Sequence, residues 1–531
     1  MAADPCILHE DSDLLVVHKP AGWNTHAPTP WSGEGIYDYL RNRRPEWASL
    51  AIIHRLDKET SGVLAFSKSI EGNRSLTQQF TNRLAHKTYL LVTDRAVGFE
   101  SKRQESWLRR VGAVQRSMRA GDSGEHAITE FRVLKRESGR VWLEARPATG
   151  RTHQIRVHAA DLGIPILGDP LYGGGSSHRL HLHASSLEIL HPTSGEPLRF
   201  SAPDDFECST SDALRRSIID PRETNGFRVR HGAADGVSGL YVDRFGDRLL
   251  CEVDQERGCV ENADIAAVHA SQAGTSLWRK DLVRAVRGKS GAVVSPRCLS
   301  APGSTEPVVI LENGVRFEIR FDEGYSVGLF LDQRDNRRRL IHGHIAHDFP
   351  MDPGGFRNKT LLNLFAYTCG FSVCGAVAGA RTTSLDLSRK YLEWGRRNLT
   401  LNAQDPATHD FIYGDAFDWA ARLTKKGRRF DVVIADPPTF SQSKETGVFR
   451  AEKDFAKLAC AAAGLAERSG VVLLSTNAAE MEAPEFLAQV RNGVLRAGRR
   501  IERQHFAPQP PDFPVTRDEP AYLKTVWLRL D

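Results

Sequence analysis

The sequence predicts a multidomain protein that joins an α+β domain, built on a mixed or antiparallel sheet, to a doubly wound α/β domain. The chain has 531 residues, which is too long for one ordinary domain. Residues 5–205 consist of short β-like runs between Gly, Pro and charged turns, with few long helical periods. After about residue 311, strand-like runs alternate with long helical segments, which is the pattern of a parallel sheet.

The first predicted domain covers residues 1–205. Its strands are expected at runs rich in β-branched and aromatic residues, which are DLLVVHK, VLAFSKS, KTYLLVT, VWLEARP and HLHASSLEIL. Residues 206–225 are polar and are predicted to be a linker. A smaller α+β domain is predicted for residues 226–310, which contain the strand-and-turn stretch GLYVDRFGDRLLCEV.

The last predicted domain covers residues 311–531 and has the doubly wound pattern. Its strand-like runs are TLLNLFAY, TTSLDLS, FIYGDA, FDVVIADPP and GVVLLST, and helical segments such as SRKYLEWGRRNLTLNA lie between them. Ligands of such sheets bind beyond the carboxyl ends of the strands. We therefore expect the functional residues of this domain in the turns that follow its strands.

Charge and cysteine content narrow the class of protein. The net charge of +5 is compatible with a polyanionic partner but does not require one. The eight cysteines include no CxxC pair, which indicates a reducing compartment rather than a disulfide framework. The N-terminus lacks a basic region followed by an apolar core, and the stretch CGFSVCGAVAGA is too short to span a bilayer. We expect a cytoplasmic protein with no membrane partner.

One charged loop stands out in the first domain. The stretch HRLDKETSG places Asp57 between Arg55 and Lys58, and strand-like runs lie on both sides. A solvated surface ion pair would explain such a loop. The alternative is a catalytic carboxylate held where an anionic substrate arrives. Hydrolysis has weak support, because Ser61 and His54 lie near Asp57 without a second element that fixes a Ser-His-Asp order.

Six motifs occur in order in the first domain. They are HKPAGW (18–23), HRLDKETSG (54–62), KTYLLV (87–92), TGRTHQIRVH (149–158), ILGD (166–169) and LHA…HP (182–192). With these motifs, nearly all of residues 5–205 resembles the RluA-type pseudouridine synthases. The resemblance implies isomerisation of uridine to pseudouridine in RNA, without a cofactor.

The resemblance also implies roles for single residues. Asp57 would be the catalytic aspartate, Tyr89 the ring that stacks on the target base, and Arg156 the cation that pairs with Asp57. The carboxylate could act as a nucleophile or as a base, and the sequence leaves this open. The target uridine must leave its stack, which favours an aromatic platform. The residues predicted to bind RNA are Arg55, Lys58, Arg151 and His153.

A histidine cluster in this domain raises the question of a metal. The histidines concerned are His153, His158, His178, His181 and His183. They lie in β-like sequence and lack both the HExxH spacing of a helix and a cysteine partner. We therefore predict no metal site, and we interpret the histidines as packed or RNA-facing.

Four motifs occur in order in the second half: GLFLDQRDNRR (328–338), NLFAYTCGFS, TSLDLSRKYLEWGRRNLTLN and DPPTFSQSK (436–444). With these motifs, the second half resembles class I S-adenosylmethionine-dependent methyltransferases, which have a Rossmann-like α/β fold, and it is most similar to the RlmI/RlmK group of 23S rRNA methyltransferases. The resemblance runs from about residue 226 to the C-terminus and implies that residues 226–310 form an RNA-associated or linking domain. It also implies that PQPPDFPV and YLKTVWLRL supply the reversed strand pair that closes such sheets.

The cofactor implied by this resemblance is S-adenosylmethionine. Asp386, at the end of a strand, suits the two hydroxyls of a ribose, while Asp415 and Asp436 follow the next two strands. The turn after the first strand lacks a full GxGxxG, so a dinucleotide is weakly supported. The predicted cofactor-binding residues are Gln333, Arg334, Asn363, Phe365, Gly370, Asp386, Asp415 and Asp436, and Asp436 is also predicted to be catalytic.

The chemistry of methyl transfer helps to select the target base. Methylation of a pyrimidine at carbon-5 requires a covalent adduct, usually through cysteine. Members that do this carry a cysteine after the strand that follows DPP, where this chain reads LLSTNAAE (473–480), and Cys460 lies earlier in a helical segment. Nitrogen-7 of guanine already has an in-plane lone pair and needs only positioning. We favour guanine nitrogen-7, then an exocyclic amine, then cytosine carbon-5.

The two resemblances together predict a bifunctional RNA modification enzyme. Its expected partner is RNA, in particular 23S rRNA or a precursor of the large ribosomal subunit. The alternative is an RNA-binding ribosome-assembly factor in which one site is inactive. A small-molecule methyltransferase is a third possibility, but it is disfavoured because both halves indicate RNA.

Overall fold

The computed structural model describes residues 4–118, 123–272, 274–282, 295–300, 306–323, 326–349, 354–443 and 447–531. These residues form two compact units. The first consists of Met1–Pro28, Glu34–Arg41 and Glu46–Ile218, and the second consists of Thr29–Gly33, Asn42–Pro45 and Ile219–Asp531. In the described residues, no helix combines the length and the apolar character needed to cross a membrane.

The first unit is mainly β-structure. Its strands are β1 Ile7–Glu10, β2 Leu14–Lys19, β3 Ala51–Ile52, β4 Ser61–Ser67, β5 His86–Thr93, β6 Ser101–Val111, β7 Val114–Met118, β8 Glu125–Glu137, β9 Arg140–Pro147, β10 Leu182–Leu190 and β11 Pro197–Ser201. Its helices are α1 Ile36–Arg41, α2 Ile70–Thr81, α3 Gln154–Asp161 and α4 Thr210–Ile218. Helix α4 lies inside the stretch that was predicted to be a linker, because Ala213, Leu214 and Ile218 bury an apolar face there.

The strands of the first unit form one mixed sheet, as predicted. Its order is β1-β2-β4-β10-β5-β9-β8-β6-β7, with β3 paired to β4 and β11 paired to β10. Strands β4 and β10 pair in parallel, and the neighbouring pairs β2–β4 and β10–β5 are antiparallel. The five strand-like runs of the sequence correspond to β2, β4, β5, β9 and β10. The loop before β4 and the middle of β5 therefore lie on either side of β10.

The second unit contains a small sheet, two hairpins and a large sheet. Its strands are β12 Gly226–His231, β13 Leu240–Phe245, β14 Arg248–Val253, β15 Ser276–Asp281, β16 Arg297–Cys298, β17 Val308–Glu312, β18 Val315–Ile319, β19 Thr360–Leu364, β20 Arg381–Asp386, β21 Asp410–Tyr413, β22 Phe430–Ala435, β23 Phe440–Ser443, β24 Gly447–Arg450, β25 Ala466–Thr476, β26 Ile501–Ala507 and β27 Lys524–Leu530. Its helices are α5 Asn262–Ala270, α6 Arg334–His342, α7 Gly370–Val377, α8 Arg389–Leu401, α9 Ala416–Lys425, α10 Ala451–Leu465 and α11 Ala483–Arg496.

The large sheet has the doubly wound order β21-β20-β19-β22-β25-β27-β26. Strands β21, β20, β19, β22 and β25 are parallel, and β27 runs antiparallel to both β25 and β26. Successive residues of its central strands bury on opposite faces: Leu361 and Val432 pack in one core, Leu362 and Val433 in another. A parallel sheet covered on both faces has this pattern. The order of the strands reverses between β19 and β22, so a ligand crevice is expected at their carboxyl ends.

The closing strand pair differs from the prediction. The partner of β27 is β26, Ile501–Ala507, whereas PQPPDFPV (508–515) connects the two strands and is not itself a strand. Four prolines in that stretch lack the N–H group that a ladder requires. The side-chain amide of Gln509 donates to the carbonyl of Phe513 at 2.7 Å and so folds the connection back on itself.

Candidate active sites

A cavity of about 900 Å³ opens in the first unit. Its lining includes Asp57, Tyr89 and Arg156, which the sequence predicted to be catalytic. They come from three separate elements: the loop between β3 and β4, strand β5, and helix α3. The fold therefore brings together side chains that are up to about a hundred positions apart in the sequence.

Asp57 faces two nitrogen donors across the cavity. Its Oδ2 lies 3.6 Å from Nη1 of Arg156 and 3.9 Å from Nε2 of His153. The Asp57 side chain is 26% exposed, whereas that of Arg156 is only 2% exposed. The predicted pairing of Asp57 with Arg156 is thus present as a close ion pair, with a gap too wide for a hydrogen bond.

Arg156 is held from behind by Asp169, a residue to which sequence reasoning gave no role. Its Nε and Nη2 donate to the two carboxylate oxygens of Asp169 at 2.7 and 2.8 Å. Burial by itself would lower the pKa of Arg156, but hydrogen bonds and charge from Asp169, with the charge of Asp57, raise it. The guanidinium is therefore charged and fixed in orientation. The ILGD motif, which ends at Asp169, was the available signal.

Tyr89 offers a buried aromatic ring at the same cavity. It lies on β5 between Ala145 of β9 and Ala184 of β10, and it is 8% exposed. Burial raises the pKa of Tyr89, and the charge of Asp57 raises it further, so the phenol is neutral. Its neighbours across the sheet are both alanines, and its side chain belongs to the cavity lining.

The residues predicted to bind RNA divide into two kinds. Arg55 and Lys58 are exposed residues of the cavity lining. Arg151 is engaged with strand β8, because its Nη1 contacts Glu125 at 2.8 Å and its Nε donates to the carbonyl of His126. His153 Nδ1 lies 2.8 Å from the hydroxyl of Tyr172, a residue that sequence reasoning did not select. The RNA roles of all four stay predictions.

Lys19, in the HKPAGW motif, positions the loop that carries Asp57. Its side chain is fully buried, and its Nζ donates to the carbonyls of Pro20, Trp23 and Lys58 at 2.9, 2.7 and 3.1 Å. Burial lowers the pKa of Lys19 to about 7. Three carbonyl acceptors offset part of the cost of burying an ammonium group, and they tie two loops together.

Three of the five histidines, His158, His181 and His183, are buried, whereas His178 is exposed and His153 lines the cavity. His183 Nδ1 lies 2.8 Å from the Ser61 hydroxyl, and His158 contacts Thr129 and Ser106. Among the described residues, His18, His183 and Asp205 alone place three possible metal-ligand atoms within 4.8 Å of one another. Asp205 is already paired with Arg179 at 2.7 Å, and the hydroxyl of Ser61 donates to it. Ser61 thus links His183 to Asp205 through hydrogen bonds, and Arg179 supplies the cation.

In the second unit, the loop after β19 has a strained backbone. Phe365, Tyr367 and Cys369 have φ values of 58°, 48° and 64°, a region that residues other than glycine rarely adopt. Asp386 stabilises the loop, because its Oδ2 accepts from the backbone N–H of Tyr367 at 2.9 Å and its Oδ1 accepts from Ser388. Burial raises the pKa of Asp386, and these backbone donors oppose the change. Strain of this kind is typical of binding sites.

Asp436 lies at the end of β22 inside a polar network. Its carboxylate accepts from the hydroxyl of Ser475, which in turn accepts from Nε2 of Gln333 at 3.0 Å. The hydroxyl of Tyr522 donates to Asp332 at 2.9 Å. Burial raises the pKa of Asp436 to about 6, with a further contribution from the charge of Asp332. Sequence reasoning selected Asp436 and Gln333 but missed Asp332, which directly precedes Gln333, and also Ser475 and Tyr522, which lie far along the chain.

Several predicted cofactor-binding side chains have partners inside the fold. Asn363 donates to Ser372 at 3.0 Å, Asp415 caps α9 by accepting from two backbone N–H groups, and Arg334 donates to both oxygens of Asp512. Gly370 begins α7. These contacts account for the residues without a cofactor, so their cofactor roles stay predictions.

The fold and the two sites define a class of protein: an enzyme with an RNA pseudouridine synthase unit and a Rossmann-like methyltransferase unit. A family model for RNA pseudouridylate synthase matches residues 13–161, and one for S-adenosylmethionine-dependent methyltransferase matches residues 233–529. The chain belongs to the S-adenosylmethionine-dependent methyltransferase family and carries an RluA-type pseudouridine synthase domain ahead of it. The methyltransferase unit uses S-adenosylmethionine as its cofactor.

Individual relatives support both halves. Ribosomal large subunit pseudouridine synthase D of Xanthomonas campestris is 38% identical over 217 residues, which are 37% of this chain and 65% of the relative. The chain thus spans just under two thirds of that relative. Ribosomal RNA large subunit methyltransferase I of Aeromonas salmonicida is 32% identical over 59% of this chain and 77% of its own length. A solved structure described as a methyltransferase complexed with SAH superposes with a TM-score of 0.52 and 27% identity, covering 60% of this chain and 79% of its own.

Proposed function

We propose that this chain modifies large-subunit ribosomal RNA at two kinds of position. Its first unit isomerises a uridine to pseudouridine, and its second unit methylates a base with S-adenosylmethionine. The observation that carries the first activity is the placement of Asp57 opposite Arg156 in a cavity that also presents Tyr89. The ribosomal substrate is supported by the names of relatives of both halves.

The first reaction makes specific demands on this cavity. The bond between C1′ and N1 of the uridine must break, the base must turn, and C5 must bond to C1′. A target nucleotide flipped out of its stack fits a space of about 900 Å³ with an aromatic wall. Asp57 supplies the carboxylate at the reacting sugar, and Arg156 balances its charge. Tyr89 supports the face of the base.

Loss of the carboxylate tests this assignment. The variant Asp57→Asn keeps the size of the side chain and should abolish pseudouridine formation in transcripts of 23S rRNA. The matched control Glu71→Gln, an exposed carboxylate on α2, should act like wild type. Pseudouridine formation by Asp57→Asn at the wild-type rate would refute the proposed site.

The second reaction is proposed to occur at nitrogen-7 of guanine. Carbon-5 chemistry requires a reactive thiolate near the crevice. Residues 473–480, beside Asp436, contain no cysteine. Burial raises the pKa of Cys369 to about 12 and that of Cys374 further still, so both thiols are protonated. A lone pair on nitrogen needs only alignment with the sulfonium methyl.

Nucleoside analysis of methylated RNA tests the choice of base. Incubation of 23S rRNA with the protein and S-adenosylmethionine should give 7-methylguanosine, detected by mass spectrometry and by borohydride and aniline cleavage at the modified position. An N-methylated exocyclic amine or 5-methylcytidine as the product would replace the guanine nitrogen-7 assignment.

We also propose that the enzyme works in the cytoplasm, which its eight free cysteines support.

A further inference from the structure

His153 has a backbone and a side chain that are both unusually constrained. It stands at the start of helix α3 with φ 55° and ψ 17°, in the left-handed region, and its side chain makes no capping hydrogen bond. Such a conformation costs about 1 kcal/mol or more for a residue other than glycine. The left-handed backbone therefore does not serve to cap α3, and it places the imidazole at the cavity wall.

Tyr172 fixes the tautomer of this imidazole. The Tyr172 oxygen accepts from the backbone N–H of Gln115 at 3.0 Å and lies 2.8 Å from Nδ1 of His153. Because the tyrosine oxygen already accepts from Gln115, the arrangement in which its O–H donates to Nδ1 satisfies both groups. In that arrangement the ring proton of a neutral His153 lies on Nε2. Burial raises the pKa of Tyr172, which keeps that hydroxyl protonated.

Nε2–H of His153 and Nη1 of Arg156 are therefore two donors that lie near the same oxygen of Asp57. They lie 3.9 and 3.6 Å from Oδ2 of Asp57, and both distances are too long for a hydrogen bond. Nη1 of Arg156 is buried and has no hydrogen-bond partner among the described residues. A buried guanidinium N–H left open in a cavity indicates that a ligand atom completes it.

Resting on the proposed pseudouridine synthase activity, we propose that His153 and Arg156 bind a carbonyl oxygen of the target pyrimidine through Nε2–H and Nη1–H. When the C1′–N1 bond breaks, its electron pair goes to N1, and the base becomes an anion whose charge is shared with O2 and O4. The two donors stabilise that charge, in the manner of an oxyanion hole. The base then gives an electron pair from C5 to C1′, and C5 afterwards loses its proton while N1 gains one, so the isomerisation is balanced.

A neutral, partly buried imidazole is better suited to donate to a base carbonyl than to bind a phosphate. Burial lowers the pKa of His153, and the charges of Asp57 and Glu59 oppose that change, while Arg156 favours it. The side chain is only 19% exposed and lies at the wall of the cavity. Exposed cations are the usual partners of phosphate oxygens. Tyr172 is then a positioning residue that acts through His153.

Steady-state kinetics on an RNA with a single modified uridine tests the role of His153. Loss of a donor to the developing charge should lower kcat about 100-fold in His153→Ala while KM for RNA stays within a factor of two. In His153→Gln an amide N–H can replace Nε2–H, so part of the activity should return. Tyr172→Phe removes the donor to Nδ1, so either ring nitrogen of His153 can carry the proton. This change should lower kcat about tenfold. The control His86→Gln, at an exposed position of β5, should match wild type.

A raised KM with unchanged kcat in His153→Ala would overturn the proposal and assign the residue to phosphate binding. Filter binding of the same RNA, which should be equal for all variants, shows that each variant is folded. Nitrogen-15 spectra of histidine-labelled protein, assigned by loss of a signal in His153→Gln, should show Nε2 protonated and Nδ1 unprotonated at neutral pH. The opposite tautomer would refute the inference. Because the spectra need no RNA, they test His153 even if the wild-type chain forms no pseudouridine, which would instead refute the proposed function.

Discussion

At the residue scale, the buried side chain of Arg156 contacts two carboxylates, those of Asp169 and Asp57. Asp169 takes two of its nitrogens in a bidentate pair and is itself fully buried, while Asp57 faces the third nitrogen from the cavity. A guanidinium removed from water is tolerated when its hydrogen bonds are made with good geometry. Asp169 thus carries the structural pairing, and this leaves Nη1 of Arg156 for the reaction.

The variant Asp169→Asn tests this division of labour. It leaves Arg156 as a buried cation without its charged partner, and breaking such a pair costs about 3–5 kcal/mol of unfolding free energy. Pseudouridine formation should fall along with stability, since Arg156 is then free to turn toward Asp57. Urea unfolding measures the first effect, and the surface variant Glu137→Gln provides the reference. Equal unfolding midpoints for the two variants would contradict the role given to Asp169.

A second prediction at the residue scale concerns Asp386. Its carboxylate orders the strained loop by accepting from the N–H of Tyr367, and it lies where a ribose is expected. Asp386→Ala should weaken binding of S-adenosylmethionine at least about tenfold, since one or two hydrogen bonds to a charged group are lost. Isothermal calorimetry measures the affinity. Asp418→Asn, a surface carboxylate paired with Arg422, should bind like wild type, and an unchanged affinity in Asp386→Ala would remove it from the cofactor site.

The sequence could predict that Asp57, Tyr89 and Arg156 lie together, because the motifs that contain them occur in a fixed order, and one cavity contains all three. Their roles stay predictions. It could not predict Asp169 or Tyr172 as partners, because their contacts depend on how the turn after α3 folds back on that helix. A motif also does not show whether a side chain has a hydrogen-bond partner elsewhere in the fold. Nothing in the neighbourhood of a residue shows that its side chain will be taken by a helix cap, as in Asp415, or by a distant carboxylate, as in Arg334.

At the scale of elements, the parallel pairing of β4 with β10 depends on one glycine. Gly62 has φ +121°, and a Cβ at this position would come within 2.2 Å of the carbonyl oxygen of Ala184. The HRLDKETSG motif thus combines the loop that carries Asp57 with a backbone contact that has no space for a side chain. This contact sets the position of Asp57 relative to Tyr89, because β10 lies between β4 and β5.

The variant Gly62→Ala should therefore be severely destabilised, by about 4 kcal/mol or more, through a clash that neither backbone can relieve. Gly163→Ala is the matched control, since Gly163 also has a positive φ of +73° but has no atom within 4 Å of the added Cβ. It should lose only about 1 kcal/mol of backbone strain. Soluble yield and urea midpoints compare the two, and similar losses would show that the contact with Ala184 is unimportant.

Element prediction failed where edge strands are polar. Strand β26, IERQHFA, lies at the edge of the large sheet and pairs only with β27 among the described strands. An edge strand needs few apolar residues, so its sequence gives a weak period. The apolar runs of the central strands were recognisable because both faces of the sheet are covered. The prolines after β26 mark a connection for the same physical reason that excludes them from a ladder.

At the scale of the whole molecule, each unit has its own core and its own site. The sequence pattern changes from short β-like runs to alternating strands and helices, and this change was enough to predict two architectures. The boundary was harder to predict, because the polar stretch 206–225 contains α4, which belongs to the first unit up to Ile218. The finer division at residue 310 stays a prediction.

The first unit should be sensitive to mild acid as a whole because it buries neutral histidines. Burial lowers the pKa of His18 and His158 to about 4 and that of His54 to about 3. The unfolded chain takes up these protons near pH 6.5, so between pH 6.5 and 4 it binds more protons than the folded chain. Stability is therefore full above pH 6.5 and falls as the pH is lowered, by up to about 1.4 kcal/mol per pH unit for each histidine.

Urea unfolding of the full chain at pH 7, 6 and 5, followed by hydrogen exchange of the peptide that contains α3, measures this slope for the first unit alone. His158 is the residue to replace, since its ring is fully buried between Thr129 and Ser106. His158→Gln keeps a donor and an acceptor there but cannot titrate. It should lower stability at pH 7 yet flatten the decline between pH 6 and 5, because one proton-linked site is gone. An equal slope in both proteins would show that folding does not lower the pKa of His158 and that other groups drive the acid response.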